Sequence, residues 1–415
     1  MSMKKTDDNP VRCKSVLFFN LITALTAAVL SIAAGELVLH VFVPGPETPR
    51  AFAHQLSTNP ILIYEPSPSA VVMQAFEMAD GGTLDIEHRI NRDGFRDRNY
   101  DENKISGAEH RIAFLGDSVV YGYELQHDQT IPKQLEQMWA KQPRRIEVLN
   151  FGVSGYDTEQ QIEFLKSKAL LFHPDTVILG YTLNDSRYAS WELDILRNNW
   201  HAMMKTKSRS VTQTLLQNAF RHSRILWLLD KHLLIRKKIE ILQGGKILFD
   251  YMAEKYEASR DSDDSDYRRL RTAIIAEGEK IGSSEAELNY FLEGTGLNYQ
   301  SPIYASHWNV TEASFEKLRG LSDEHGFKVI IVIWPLMHAM DHYALGPLHD
   351  FLNERLNRFG FSVIDLKDYC RDLITEHGRS QITWDGIHFT PMGAYLAAEY
   401  LREAIKPLLP DRATD

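Results

Sequence analysis

Hydrophobic and polar positions change their pattern several times along the chain. From Ser15 to Gly35 the run SVLFFNLITALTAAVLSIAAG carries no charge. At about 1.5 Å of rise per helical residue it just covers a hydrocarbon core of roughly 30 Å. The run has no polar face, which separates it from the helices of a water-soluble core. From Arg111 onward, short apolar runs alternate with amphipathic stretches. RIAFLGD, RIEVLNFG and DTVILGY read as buried parallel strands, with helices over 128–141 and 156–170 between them. The alternation resumes with a helix over 311–326, the strand FKVIIVIW, a helix over 345–359, the strand FSVIDL and a last helix after Pro391. Thr390 can cap that helix, with Pro391 at its first position. The pattern predicts an α/β fold, a parallel sheet with helices on both faces.

Other segments follow neither regime. PGPETP reads as a linker, because its prolines favour extended backbone. Residues 45–110 form this linker and a small β-rich prelude, in which Asp93-Gly94 offers a turn and Phe95 an apolar anchor. Residues 191–305 show helical periodicity and read as an insertion between two parts of the sheet domain, 111–190 and 306–410. Within it, Ile225, Leu226, Leu229 and Leu233 alternate with Arg221, Arg224, Lys231, Arg236, Lys237 and Lys238. Such a helix can dock on its own domain, lie on a lipid surface or form a lid over a lipidic substrate. DSDDSD at 261–266 reads as a solvated loop, since a calcium loop needs a central glycine that is missing here.

Charge orients the apolar run. Lys4, Lys5, Arg12 and Lys14 precede it, so residues 1–14 are expected in the cytoplasm, residues 15–35 as a single-pass signal anchor in the cytoplasmic membrane, and the rest outside, in the periplasm of a Gram-negative cell. Ser31 and Ala33 leave a cleaved signal peptide as the alternative. Cys13 and Cys370 would then lie on opposite sides of the membrane and could not pair within one chain. The net charge of -10 argues against a nucleic-acid partner, which needs an excess of Lys and Arg on one face.

Cleavage of an ester at a serine needs a hydroxyl, a base, a group to orient the base, and donors for the oxyanion. Ser118 sits in LGDSVVYG, where a strand ends and a helix should begin, at the sheet edge where ligands of open α/β sheets bind. Trp384-Asp385-Gly386-Ile387-His388 places a carboxylate three residues from an imidazole on a loop before the last helix. With 16 histidines in the chain such a pair means little alone; beside a serine at a strand end it completes a set. Asn150-Phe151-Gly152-Val153-Ser154-Gly155 offers glycine NH groups and Leu183-Asn184-Asp185 a side-chain amide, both suited to an oxyanion.

With these blocks in order, the chain resembles the SGNH, or GDSL-type, serine hydrolase superfamily, over roughly residues 111–190 and 306–408. The resemblance implies a three-layer α/β/α, flavodoxin-like domain. It implies Ser118 as nucleophile with Asp385 and His388 as its partners. The oxyanion donors it implies are the Ser118 NH, Gly155 and Asn184, although Gly180 and Asn184 stand further apart than the common Gly-x-Asn-Asp. The apolar run followed by Asn-x-x-Gly-Phe-Arg, here Asn91 to Arg96, resembles bacterial membrane-anchored members. The expected partners are an ester-bearing carbohydrate or lipid and the membrane; no cofactor is implied.

Competing signals are poorer. Tyr156 stands where a Gly-x-Ser-x-Gly elbow needs its last glycine, so Ser154 is not the nucleophile. His338 and His342 have helical spacing but lack the Glu of a zinc-protease motif, and no metal is implied. The same residues could end the reaction on a sugar hydroxyl instead of water, making an O-acyltransferase for an exported polysaccharide. The fold could also serve a non-catalytic envelope polysaccharide-binding or assembly protein.

Overall fold

The computed structural model describes residues 10–42, 54–185 and 265–409, with short gaps at 60, 63, 78–81, 106, 143–144, 296 and 298–302, and five residues between 223 and 229. The linker PGPETP and most of the basic amphipathic stretch lie outside the described residues. The chain forms two compact units, Met1–Arg50 with Ala202–Ile247, and Ala51–His201 with Leu248–Asp415.

The first unit is built on one helix, Pro10–Phe42 (α1). It runs seven residues past the expected end at Gly35, because Glu36 is followed by the apolar LVLHVF. Its stretch Phe18–Leu39 is long and apolar enough to cross a membrane, with a mean hydropathy of 2.0. Phe18, Phe19, Val29, Leu30 and Leu37 are exposed. The Glu36 carboxylate accepts hydrogen bonds from Ser223 Oγ (2.9 Å) and the Ile225 NH (3.1 Å), where a short helical turn begins.

The second unit opens with the β-rich prelude: a short antiparallel pair, His54–Leu56 (β1) and Tyr64–Pro66 (β2), then a hairpin of Val71–Glu77 (β3) and Thr83–Arg89 (β4). The Asp93-Gly94 turn forms with Gly94 at φ +89° and Asn91 Oδ1 accepting from the NH groups of Asp93 and Phe95. Phe95 is buried against Phe151, with ring centroids 4.6 Å apart.

Five parallel strands follow: His110–Gly116 (β5), Ile146–Gly152 (β6), Thr176–Thr182 (β7), Lys328–Trp334 (β8) and Ser362–Asp365 (β9). Their spatial order is β6-β5-β7-β8-β9. Alternation along each strand divides the core in two. Ala113, Leu115, Val177, Leu179, Val329 and Ile331 face one layer, with Ile162, Phe164, Phe315 and Leu318. Ile112, Phe114, Ile178, Ile330 and Val332 face the other, with Ile131, Leu135, Ala394, Ala397 and Leu401. This is the three-layer α/β/α arrangement that the apolar runs predict.

The covering helices are Ile131–Ala140, Thr158–Ser167, Ile303–His325, Gly346–Arg358, Lys367–His377 and Pro391–Ile405, besides short turns. Thr390 caps the last as expected, accepting from the Gly393 NH at 3.0 Å. Two differences matter. Lys367–His377 carries mainly polar residues around buried Cys370 and Leu373, so its period is weak in the sequence. Within the expected insertion, helices Ser265–Ile281 and Glu285–Gly294 place Leu270, Ile274, Phe291 and Leu292 in the same apolar cluster as the sheet.

Candidate active site

Three adjacent strands end on glycines in register: Gly116 of β5 pairs with Gly152 of β6 and with Gly180 of β7. Each is there because a side chain would collide with what sits above it. A Cβ on Gly116 would lie 2.3 Å from Val120 Cγ2, one on Gly152 2.3 Å from the Tyr121 backbone nitrogen, and one on Gly180 2.7 Å from both Val120 Cγ2 and Trp334 Nε1. The three glycines form a floor on which the short helix Ser118–Tyr121 (α2) rests, with Ser118 at its first position.

Hydrogen bonds fix this turn. Asp117 Oδ1 accepts from the Val119 NH (2.9 Å) and from Thr182 Oγ1 (3.1 Å). Burial pushes the Asp117 carboxyl above its ordinary range. Asp185 folds back on its own strand end, taking the Thr182 NH (3.1 Å) and Gln161 Nε2 (2.9 Å). Arg96 from the Asn-x-x-Gly-Phe-Arg segment is wholly buried. Its guanidinium donates to the carbonyls of Tyr121 (2.8 Å), Gly122 and Leu125 (2.5 Å), clamping the chain just after α2. Burial brings Arg96 down to about 10.

The second half of the site lies on the loop before the last helix. Thr383 bridges Phe389, and Gly386, at φ +95°, passes its carbonyl to the Met337 NH. Asp385 Oδ1 accepts from the NH groups of Ile387 and His388, both at 2.8 Å, which leaves Oδ2 for the imidazole. Asp385 Oδ2 lies 2.8 Å from His388 Nδ1, and His388 Nε2 lies 2.8 Å from Ser118 Oγ. Carboxylate, imidazole and alcohol thus form one hydrogen-bond chain. Burial would raise the Asp385 carboxyl, but the hydrogen bond and charge of His388 and the loop NH groups outweigh it and hold it at about 2. Burial acts to lower His388; Asp385, then Glu124 and Asp117, reverse this and raise it above 6.5. An alcohol facing a basic imidazole whose other nitrogen is held by a carboxylate can be deprotonated as it attacks.

Gly155 and Asn184 follow Gly152 and Gly180 at the same sheet edge. Gly155 has φ +80°, open to glycine at little cost, and the space a Cβ would take lies 2.7 Å from Tyr64 Oη. The Asn184 Oδ1 is buried without a hydrogen-bond partner. Ser154 points its carbonyl at the Tyr64 hydroxyl (2.8 Å).

The prelude contributes more than the sequence suggested. Tyr123 packs against the His388 ring at 5.8 Å, and Gln74 of β3 donates to Tyr123 Oη at 2.6 Å. His88 of β4 stacks on Tyr121 at 5.5 Å, and burial drives it down to about 3, so it is neutral. Arg96, Tyr64 and Gln74 carry no sequence signal of a role at the serine beyond the motif that contains Arg96. Glu124, too, carries no sequence signal. An oxygen of its carboxylate lies within 4.8 Å of a ligand-type atom of Asp385 and one of His388. Both imidazole nitrogens are already engaged, by Asp385 and Ser118, so the ring has no free nitrogen to offer a metal ion beside Glu124. His338 and His342 do not share a helix face: His338 packs on Tyr290 (4.3 Å), and His342 ends the short turn Met340–His342.

Comparison with known proteins finds one family similarity. Residues 114–277 match the GDSL-like Lipase/Acylhydrolase family, a stretch that contains Ser118, Gly155 and Asn184 but stops short of Asp385 and His388. No curated protein matches the chain. Similar solved structures include an alpha/beta hydrolase enzyme from the metagenome of Lake Arreo, Spain (12% identity, 73% of this chain and 98% of that one, TM-score 0.39). The lipase/acylhydrolase from Enterococcus faecalis is 16% identical over 72% of this chain and 97% of its own, with a TM-score of 0.36. A two-domain esterase active on acetylated mannans is 11% identical over 74% of this chain and 53% of its own, with a TM-score of 0.37. The chain is thus similar, over residues 114–277, to the GDSL-like Lipase/Acylhydrolase family, and it has a parallel α/β sheet with Ser118 just beyond the end of the second strand in space.

Proposed function

We propose that this protein is a serine esterase that cleaves a carboxylic ester of a carbohydrate or a lipid through an acyl-serine intermediate. The observation that carries this reading is the unbroken hydrogen-bond chain from Asp385 through His388 to Ser118. His388 Nε2 takes the Ser118 proton as Oγ attacks the ester carbonyl. The oxyanion is held by the NH groups of Ser118 and Gly155 and the Asn184 side-chain amide. His388 then passes its proton to the leaving alcohol as the ester C–O bond breaks. A water, deprotonated by the same imidazole, attacks the acyl-serine and releases the acid. The apolar helix Phe18–Leu39 supports a membrane anchor, and the preceding Lys4, Lys5, Arg12 and Lys14 favour an orientation with the hydrolase domain outside the cytoplasm.

The test is labelling of the detergent-solubilised full chain by a serine-directed fluorophosphonate, followed by turnover of acetyl and long-chain aryl esters. The wild type should label and turn over one ester class, and Ser118→Ala should do neither. A folded wild type that never labels would sink the proposal.

A further inference from the structure

A third carboxylate faces the imidazole of His388, outside the hydrogen-bond chain that links Asp385, His388 and Ser118. Glu124 lies in the turn after α2, between Tyr123, whose ring packs on His388, and Leu125, whose carbonyl is held by Arg96. The turn is therefore clamped from the buried side, and the Glu124 backbone has a defined place next to the imidazole. A carboxylate oxygen of Glu124, one of Asp385 and a ring nitrogen of His388 lie within 4.8 Å of one another. Yet Glu124 Oε2 is buried without any hydrogen-bond partner. Leaving a carboxylate oxygen buried and unpaired is costly, and such groups in folded proteins call for an explanation. No direct hydrogen bond to His388 is open to it, because Nδ1 is held by Asp385 and Nε2 by Ser118. What remains is its charge.

We propose that Glu124 is a positioning residue that acts on His388 through its charge, stabilising the imidazolium that forms whenever Ser118 or the attacking water gives up its proton. The inference rests on the esterase reading of the Ser118–His388 pair. The groups that face His388 are Asp385 on its own loop, Glu124 and the Tyr123 ring from the turn after α2, and Asp117 with Ser118 from the end of β5. Around Asp385 stand Tyr290, Arg379 and His338 from neighbouring elements. Of these, Glu124 is the negative group next in weight to Asp385 in raising the imidazole. Its own carboxyl is pushed up by burial and back down by His388, as expected of two groups that stabilise each other's charged forms. Tyr123 and Glu124 together give the imidazole an apolar wall and a second negative neighbour, so the ring is held in place by one and made more basic by the other.

The experiment compares wild type, Glu124→Gln and Glu124→Asp in the full chain. The pH dependence of kcat/KM for an activated ester is the main readout, and fluorophosphonate labelling at the pH plateau reports whether the serine is still assembled. Glutamine keeps the shape and removes the charge. The acid limb of Glu124→Gln should move to lower pH by roughly half a pH unit or more, while its plateau rate falls by about tenfold. Glu124→Asp should return the limb most of the way to wild type. If the limbs of wild type and Glu124→Gln coincide, the proposal is overturned, even if Glu124→Gln is less stable or slower. If wild type itself does not label, the esterase reading fails instead, so the two failures are told apart.

Discussion

Ser118 Oγ and His388 Nε2 stand 2.8 Å apart although 270 positions of chain separate them. One is fixed by a floor of strand-end glycines and the other by a tight loop folded around its own aspartate. Neither position depends on the other, so the pair can be tested from both sides.

The pH dependence follows from the sign of the His388 shift. Only the neutral imidazole can accept the Ser118 proton, and its neighbours raise it above 6.5. Activity should therefore be lost as pH falls through a value higher than that of a free histidine. Asp385→Asn removes the largest raising influence and should slow the reaction and move the remaining acid limb downward. A wild-type kcat/KM profile with its acid limb centred below 6.5 would contradict this assignment.

Asn184→Ala should reduce kcat by on the order of 10² to 10³, the usual cost of one oxyanion donor. The Asn184 Oδ1 has no partner to lose. The melting temperature should stay close to that of the wild type, and near-normal turnover would remove Asn184 from the oxyanion site.

Gly152→Ala should be more damaging than its size suggests. The added carbon would lie 2.3 Å from the Tyr121 nitrogen, a backbone atom that cannot move without carrying Ser118 with it. We expect a loss of about 1–3 kcal/mol in urea unfolding, together with reduced fluorophosphonate labelling. Intact stability with full labelling would show that α2 can shift freely on its floor.

At the outer edge of β6, Lys133 pairs with fully buried Asp97 at 2.7 Å, and Asp97 also accepts from the Asn150 NH at 3.1 Å. Removing one partner of such a pair leaves a buried charge, so Lys133→Met should cost about 3–5 kcal/mol. Burial would raise Asp97, but Lys133 and the hydrogen bonds of His127, Lys133 and Tyr100 pull it far below its ordinary value. Its stabilising contribution is thus complete above the unfolded carboxyl pKa and fades as pH falls toward the folded one. Lys133→Met should flatten that acid-side dependence in denaturation curves measured at several pH values.

The sheet was legible because five nearly continuous apolar runs, bounded by glycine or charge, leave no other reading. That Ser118, Asp385 and His388 could meet was legible because each sits at a strand end or on the loop before a capped helix. Lys367–His377 leaves little trace in the sequence, since only Cys370 and Leu373 of it are buried in the core. Helices Ser265–Ile281 and Glu285–Gly294 were legible as helices, but their docking on the sheet depends on Leu270, Ile274 and Phe291 meeting residues far away in sequence. Arg96 and Glu124 could not be placed for the same reason: one works through backbone carbonyls, which leave no trace in residue identity, and the other through charge across a turn.

The order of the parts along the chain has a consequence for biosynthesis. The alcohol emerges early, with the first strand of the parallel sheet, whereas its base arrives on the loop before the last long helix. A nascent polypeptide that has built β5 to β8 already holds Ser118 in its turn but has no imidazole within reach of it. On the proposed mechanism, a chain folded only as far as β8 holds the alcohol without the imidazole that would activate it.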